Sequence, residues 1–287
     1  IVHVDIDPAE IGKNRVADVP IVGDCQDVIA KLHAELRRLQ DEAGGTPDRT
    51  EWLAQLDEWK RTFPYRYDQP ADGPLKPQFC IERLYEHTKG DAIVVAGVGQ
   101  HQMWASQFWK FNEPRTWVNS GGLGTMGFAV PAALGAKAGR PDRRVIAIDG
   151  DGCFQMTSQE LATSTAEGIP FVTAIINNAH LGMVRQWQEL FYEERYSQVY
   201  LSYDVPDYVK LAEAYGCVGL RAEHPDEVDA VIDKALSIED RSVVIDFRVD
   251  SKEMCFPMVP AGASNDDIIV GPEGLRPTDD PAEAPVA

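Results

Sequence analysis

The stretch Arg144-Val145-Ile146-Ala147-Ile148-Asp149-Gly150-Asp151-Gly152 decides the fold. Four consecutive apolar residues, two of them β-branched isoleucines, end abruptly at an acid and a glycine. This is the pattern of a short strand buried on both faces, because a strand with one wet face would alternate. Val243-Val244-Ile245 repeats the pattern. Between such runs the apolar spacing changes to the helical period. Outward from the central strand, the alternation predicts helices at Gln78–His87, Gln102–Trp109, Phe128–Ala138, Ser158–Glu167, Leu181–Leu190, Tyr208–Tyr215 and Asp226–Ser237. The strands fall at Ala92–Ala96, Thr116–Asn119, Arg144–Ile148, Phe171–Ile176, Val218–Arg221 and Ser242–Phe247. Strand and helix in regular turn give an α/β fold, a doubly wound parallel sheet with helices on both faces. In such sheets ligands bind beyond the carboxyl ends of the strands.

The flanking segments differ. Ile1-Val2-His3-Val4-Asp5-Ile6 is a β-branched run with the character of a strand already under way, so the sequence is expected to be a piece of a longer polypeptide. Residues 1–45 hold two strands and a helix near Gln26–Leu39, too little for a sheet of their own, and are expected to be the remnant of a second α/β domain. Residues 46–76, with a helix at Thr50–Arg61 and then Pro64, Pro70, Pro74 and Pro77 closing the stretch, are expected to be a linker. Residues 77–265 form the main domain. Residues 266–287, with six acids and four prolines, are expected to be a tail mobile over its last dozen positions.

The 287 residues carry 27 Lys and Arg against 46 Asp and Glu, a net charge of −19. Phosphate-rich partners would be repelled, which argues against nucleic acid and anionic membranes. No apolar run approaches the ~20 residues that span a bilayer. Cys25, Cys80, Cys153, Cys217 and Cys255 are odd in number and scattered without a CxxC pair, so disulfides and a zinc site are not expected, and a reducing, cytoplasmic location is. Any phosphate held by so acidic a chain must be held locally, by a cation or by backbone amides.

Three strand ends offer such places: Val98-Gly99-Gln100-His101, Gly121–Gly127, and Asp149-Gly150-Asp151-Gly152, the last followed by Asn177-Asn178-Ala179-His180. The second contains G-x-G-x-x-G from Gly122 to Gly127, with Asp149 some 22 residues on, and so approaches a dinucleotide fingerprint and a Rossmann NAD(P) oxidoreductase. The third argues otherwise. Asp151 and Asn178 stand at consecutive strand ends, 27 residues apart, where a carboxylate and a carboxamide can reach one cation. Their hard oxygens suit Mg²⁺ or Ca²⁺. Gly150 and Gly152 let the backbone approach a diphosphate.

G-D-G followed by N-N is the motif of thiamine diphosphate enzymes. The stretches VGQHQMWA, SGGLGTMGF, GDGCFQMTSQELAT and INNAHLGMVRQWQ together resemble the catalytic subunit of acetohydroxyacid synthase, also called acetolactate synthase, over Ile1 to about Asp267. The resemblance implies that residues 1–45 end a central FAD-binding domain and that 77–265 form the thiamine pyrophosphate-binding domain. It implies Mg²⁺ on Asp151, the Asn178 side chain and the His180 carbonyl. Gly99, Gln100, His101, Gly150, Gly152 and Cys153 would line the diphosphate, the Gly124 carbonyl would hold the cofactor's amino group, and Met126 would support its bent shape. Met183 and Trp187 would face the substrate channel, Met183 also bordering the cofactor. Asp5, Ile6, Asp24 and Cys25 would lie against FAD, which has no redox role in this family. The implied reaction decarboxylates pyruvate and joins the remainder to a second 2-oxoacid, giving 2-acetolactate or 2-aceto-2-hydroxybutyrate for branched-chain amino acids. The activating Glu would come from an N-terminal domain of a partner subunit, outside this sequence, so the chain alone would turn over little pyruvate. A homodimer or higher oligomer and a separate regulatory small subunit are implied as partners.

Plainer readings compete at several positions. His101 alone could be a helix-start histidine, Met126 and Phe128 simple core, and Met183 with Trp187 an apolar stripe at i, i+4. Nothing near Cys153 offers a second thiol or a catalytic base, so it is expected to be a small packing residue. Within the class, another thiamine diphosphate decarboxylase, carboligase or pyruvate oxidase is the nearest rival.

Overall fold

The structure, a computed structural model, describes residues 1–271. The last sixteen positions of the expected tail lie outside the described residues. Two compact units meet in sequence at Pro64 and Tyr65. In the first, strands β1 (Val2–Asp5) and β2 (Val19–Val22) pair in parallel. Helix α1 (Cys25–Glu42) starts at Asp24, whose carboxylate accepts from the Gln26 and Asp27 amides and so satisfies donors that a helix start leaves unpaired. Helix α2 (Thr50–Thr62) sets Trp52 against Trp59 edge to face, with ring centroids 5.7 Å apart.

The second unit is the α/β domain. It runs α3 (Pro77–Thr88), β3 (Ile93–Ala96), α4 (Gln100–Phe108), β4 (Trp117–Asn119), α5 (Ala129–Gly139) and β5 (Val145–Gly150). It continues α6 (Asp151–Gln155), α7 (Leu161–Glu167), β6 (Val172–Asn177), α8 (Gly182–Phe191), α9 (Tyr208–Ala214), β7 (Val218–Ala222), α10 (Val228–Leu236) and β8 (Val243–Arg248). All six strands pair in parallel, in the order β4-β3-β5-β6-β8-β7. Alternate residues of each strand enter opposite cores. Val94, Ile146, Ile148, Ala174 and Ile245 pack with Leu84, Trp104 and Ile232, while Val95, Val145, Ala147, Ile175 and Val244 pack with Ala133, Phe154, Leu161 and Tyr208. The sheet is thus covered on both faces, and each large side chain withdrawn from water contributes about 1.5–3 kcal/mol.

Two features depart from the sequence pattern. The central strand runs on to Gly150, so Asp149 sits inside the ladder, fully buried, and not on an open strand end. Asp151 then opens a helix of five residues, too short to show any apolar period. The proline-rich stretch also divides. Helix α2 belongs to the first unit, whereas residues 65–76 pack on the second, with Tyr65 and Tyr67 against Phe108, Leu75 buried, and the Leu75 carbonyl accepting from the Asp250 amide.

The position of the site follows from the strand order. From β3 the chain crosses to β4 on one side, and from β5 it crosses to β6 on the other. The crevice between the carboxyl ends of β3 and β5 is therefore the switch point where such sheets bind ligands. Among the described residues no helix is long and apolar enough to cross a membrane.

Candidate active site

Register brings the loops together. Ala96 pairs with Ile148 and Gly150 with Ile176, so the residues that follow β3, β5 and β6 emerge side by side. The approach is close enough to exclude side chains. A Cβ on Gly97 would stand 2.0 Å from Asp149 Oδ1 and 2.8 Å from His101 Nε2. One on Gly150 would meet the His101 ring at 2.7 Å, and one on Gly152 would meet Leu181 at 2.9 Å. Gly99 enters α4 with φ +146°, and Gly124 sits in its turn with φ +65°, both in the region that favours glycine.

Asp151 is 1% exposed, and its Oδ2 has no hydrogen-bond partner among the described residues. Burial pushes its carboxyl up to about 8. Its backbone carbonyl is held by the Tyr208 hydroxyl at 3.2 Å, and Gln155 in turn donates to that hydroxyl at 2.9 Å. An anchored backbone with an orphaned buried carboxylate oxygen is the environment that a divalent cation would satisfy, since the cation supplies the charge that burial withholds.

Asn178 is nearly as buried. Its Nδ2 donates to Gln100 Oε1 at 3.1 Å, and its Oδ1 accepts the His180 amide at 3.1 Å, which leaves that oxygen a second lone pair. The turn itself is clamped from behind. Asn177 Oδ1 accepts from the Ala179 amide at 3.1 Å, where Ala179 has φ +56°, and Asn177 Nδ2 donates to Asp246 Oδ1 at 2.8 Å. Asp246 is fully buried on β8 and takes a further bond from Arg221 Nε at 2.9 Å. The His180 ring turns back onto the Asn178 carbonyl at 2.8 Å and stacks edge-on against Tyr200, so its side chain is occupied. Asp151, the Asn178 oxygen and the His180 carbonyl would offer hard oxygens of the kind Mg²⁺ takes together with water and phosphate oxygens.

His101 behaves differently from a surface histidine. It is 6% exposed, and burial drives its pKa down to about 3, so the ring is neutral. Its Nε2 lies 3.6 Å from Asp149 Oδ1, too far for a hydrogen bond and, with a neutral ring, not an ion pair. Burial likewise pushes the Asp149 carboxyl up to about 7. Together with Cys153 these side chains form a buried cluster with ligand atoms within 4.8 Å. The expectation that no base lies near Cys153 is therefore corrected: Asp149 stands four residues before it, and the β3–β5 pairing brings His101 beside both. Burial pushes the Cys153 thiol up to about 12, which leaves it a packing group and not a nucleophile. Its sulfur accepts the Val98 amide at 3.4 Å and the Gly127 amide at 3.0 Å, tying all three loops together.

The dinucleotide alternative loses its geometry here. Its glycines follow β4, an edge strand, and its acid Asp149 is sealed beneath His101 with no open space in which to meet a ribose. Met126, by contrast, reaches the site, its methyl lying 3.9 Å from where a Cβ on Gly152 would be. Met183 and Trp187 line an open groove of about 740 Å³ on α8 with Val184, Gln188, Tyr192 and Arg195. Asp5, Ile6, Asp24 and Cys25 belong to the first unit. The sequence motifs missed Gly97, Asn177, Gly182, Gln186 and Asp246. Asn177 carries a visible signal, being half of the Asn pair, while the others depend on which strands become neighbours.

Known proteins resemble this sequence. The chain is 57% identical over its whole length to an acetolactate synthase of Mycobacterium leprae, covering 46% of that protein. It is 55% identical to an acetolactate synthase large subunit of Corynebacterium glutamicum, over 96% of this chain and 44% of the relative. Against the acetolactate synthase isozyme 3 large subunit of Escherichia coli the identity is 42%, over 93% of this chain and 46% of the relative. The chain thus spans about half the length of the curated relatives it matches. Residues 97–247, more than half of the 287, match the family described as thiamine pyrophosphate enzyme, C-terminal TPP binding domain, and they contain all three loops, the switch-point crevice and the orphaned Asp151. By that match the chain belongs to the thiamine pyrophosphate enzymes.

Proposed function

We propose that this chain supplies the metal–diphosphate half of an acetolactate synthase active site. The observation that carries the reading is Asp151, a buried carboxylate with an unpartnered oxygen at the sheet's switch point, in a chain 57% identical to an acetolactate synthase. Asp151, the Asn178 oxygen and the His180 carbonyl would hold Mg²⁺. Gly99, Gln100, Gly150, Gly152 and Cys153 would face the diphosphate with backbone amides and short side chains, and His101, neutral, would wall the crevice. Gly124 and Met126 would position the rings. Bound thiamine diphosphate supplies the electron sink for decarboxylating pyruvate and joining the remainder to a second 2-oxoacid. The chain's residues orient that group, exclude water from one side of it and set the charge around the cation. Met183 and Trp187 would border the path by which the oxoacid arrives.

The domain reading goes with this proposal: residues 1–45 as the end of an FAD-binding domain with Asp5, Ile6, Asp24 and Cys25 against FAD, 46–76 as a connector, and 77–265 as the cofactor domain. So do the homodimer or higher oligomer, the regulatory small subunit and a cytoplasmic location. Because the chain spans about half of its relatives, its own turnover of pyruvate is expected to be small. The deciding experiment adds pyruvate, Mg²⁺ and thiamine diphosphate to the full-length protein and identifies the product. Acetolactate supports the reading. Acetaldehyde makes the protein a 2-oxoacid decarboxylase instead, and tight NADH binding that needs no Mg²⁺ and survives Asp151→Ala returns it to the oxidoreductases.

A further inference from the structure

We infer that Gln186, on the groove helix α8, is a positioning residue for the cation site, holding the Asn178 carboxamide through Gln100 so that its oxygen stays turned to the metal. The inference rests on the reading of Asp151 and Asn178 as Mg²⁺ ligands.

The argument begins at a backbone. Gln186 is fully buried, and its carboxamide is read by both polar groups of Cys255: Oε1 accepts the Cys255 amide at 2.8 Å, and Nε2 donates to the Cys255 carbonyl at 2.9 Å. A backbone amide can only donate and a carbonyl can only accept, so the polarity of Gln186 is fixed. Its Oε1 accepts a second bond at 2.8 Å, from Gln100 Nε2. Gln100 must therefore present its NH₂ to Gln186, an orientation reinforced by the Glu253 carbonyl at 3.2 Å. That leaves Gln100 Oε1 on the opposite side, where it accepts from Asn178 Nδ2 at 3.1 Å. Asn178 then has its NH₂ held by Gln100 on one side, while its oxygen, which accepts the His180 amide at 3.1 Å on the other, keeps a second lone pair for the cation. A carboxamide presents either an acceptor or a donor, and only the acceptor can bind Mg²⁺. Three amides in series thus tie the Cys255 peptide unit to one metal ligand, in the same sense as the His180 amide that acts on its oxygen.

The relay is crowded enough to exclude rearrangement. Gly182, at the start of α8, has no room for a Cβ, which would stand 2.1 Å from Gln100 Oε1 and 2.5 Å from Asn178 Nδ2. The Cys255 segment is held in turn by Lys76, paired with Asp250 at 3.0 Å and with Glu253 at 2.6 Å, and by Arg185 Nη2 donating to the Glu253 carbonyl at 3.1 Å. Gln186 also lies between Met183 and Trp187 in sequence, so the helix that borders the groove carries the residue that orients the metal ligand.

The test uses the intact protein and Gln186→Met, which keeps the volume and removes both polar groups. Calorimetry measures the Mg²⁺ concentration for half-maximal binding of thiamine diphosphate, alongside the melting temperature of the metal-free protein. Gln186→Met is expected to raise that Mg²⁺ concentration about tenfold or more, the range for loss of an outer-sphere partner. Gln186→Glu, whose buried carboxyl in its neutral form both accepts and donates, is expected to restore it to within about threefold. Should Gln186→Met not fold, Gln186→Asn, one methylene short of its partners, takes its place with the same expected shift. An unchanged Mg²⁺ requirement in the folded variant, or equal loss in Gln186→Glu and Gln186→Met, overturns the inference. A wild-type protein that takes up the cofactor without Mg²⁺ instead overturns the functional reading on which it rests.

Discussion

Gly97 faces Asp149 so closely that a Cβ on the glycine would lie 2.0 Å from the carboxylate Oδ1. The contact joins β3 to β5 at the crevice, and neither backbone can yield, because both strands are hydrogen-bonded on either side. Gly97→Ala is expected to cost about 1–3 kcal/mol of stability through overpacking, and more in cofactor binding, since the displaced groups are His101, Asp149 and Cys153. Chemical denaturation and cofactor titration of the same variant check both. An alanine protein with unchanged stability and binding would show that the crevice is looser than its geometry.

The metal ligands separate by type. Asp151→Ala removes the only carboxylate proposed for the cation and is expected to abolish Mg²⁺-dependent binding of thiamine diphosphate. His180→Ala leaves the backbone carbonyl in place and is expected to lower the affinity far less. Calorimetry on both variants decides, and equal loss would assign His180 a side-chain role that its bond to the Asn178 carbonyl argues against.

Much of this site was legible from the residues. Apolar runs such as Val145–Ile148 announce strands buried on both faces, and the G-D-G and N-N spacing places Asp151 and Asn178 on neighbouring strand ends, as the register shows. Gln186 was not legible, because a buried polar residue between Arg185 and Trp187 does not reveal that its partner is Gln100, 86 residues earlier. Gly97 and Gly182 were missed for a related reason. A glycine demanded by a side chain on another strand carries no local mark, unlike one demanded by its own φ. Asp149 was misplaced because the ladder continues two residues past the last apolar side chain, which alternation cannot register.

The Asn177 clamp gives a third prediction. Asp246→Ala strips the partner from Asn177 Nδ2 and from Arg221 Nε, both at the carboxyl ends of the sheet. Removing one member of a buried charged pair costs about 3–5 kcal/mol, and because the Arg221 side chain keeps about a quarter of its surface exposed, the lower end is expected. Asp246→Asn keeps a hydrogen-bonding group and is expected to lose less. Denaturant midpoints for the two variants test the order, and a reversed order would mean that the carboxylate itself is a burden at this site.

Acid should loosen the segment that orients Gln186. Burial works to raise the Asp250 pKa, but the Lys252 amide and the Lys76 ammonium outweigh it and hold the carboxyl below its ordinary value. A carboxyl with a lower pKa folded than unfolded binds fewer protons in the native state. Its contribution to stability is therefore full above the ordinary carboxylate range, near pH 4, and is lost as pH falls through the lowered value. Lys76→Met removes the ammonium, so its stability should fall less steeply than that of the wild type across the same acid range, while the two profiles run parallel above it. Denaturation at a series of pH values from neutral downward reads the difference directly. Parallel curves throughout would mean that the Lys252 amide alone sets the Asp250 carboxyl and that the Lys76 pair does not anchor the segment.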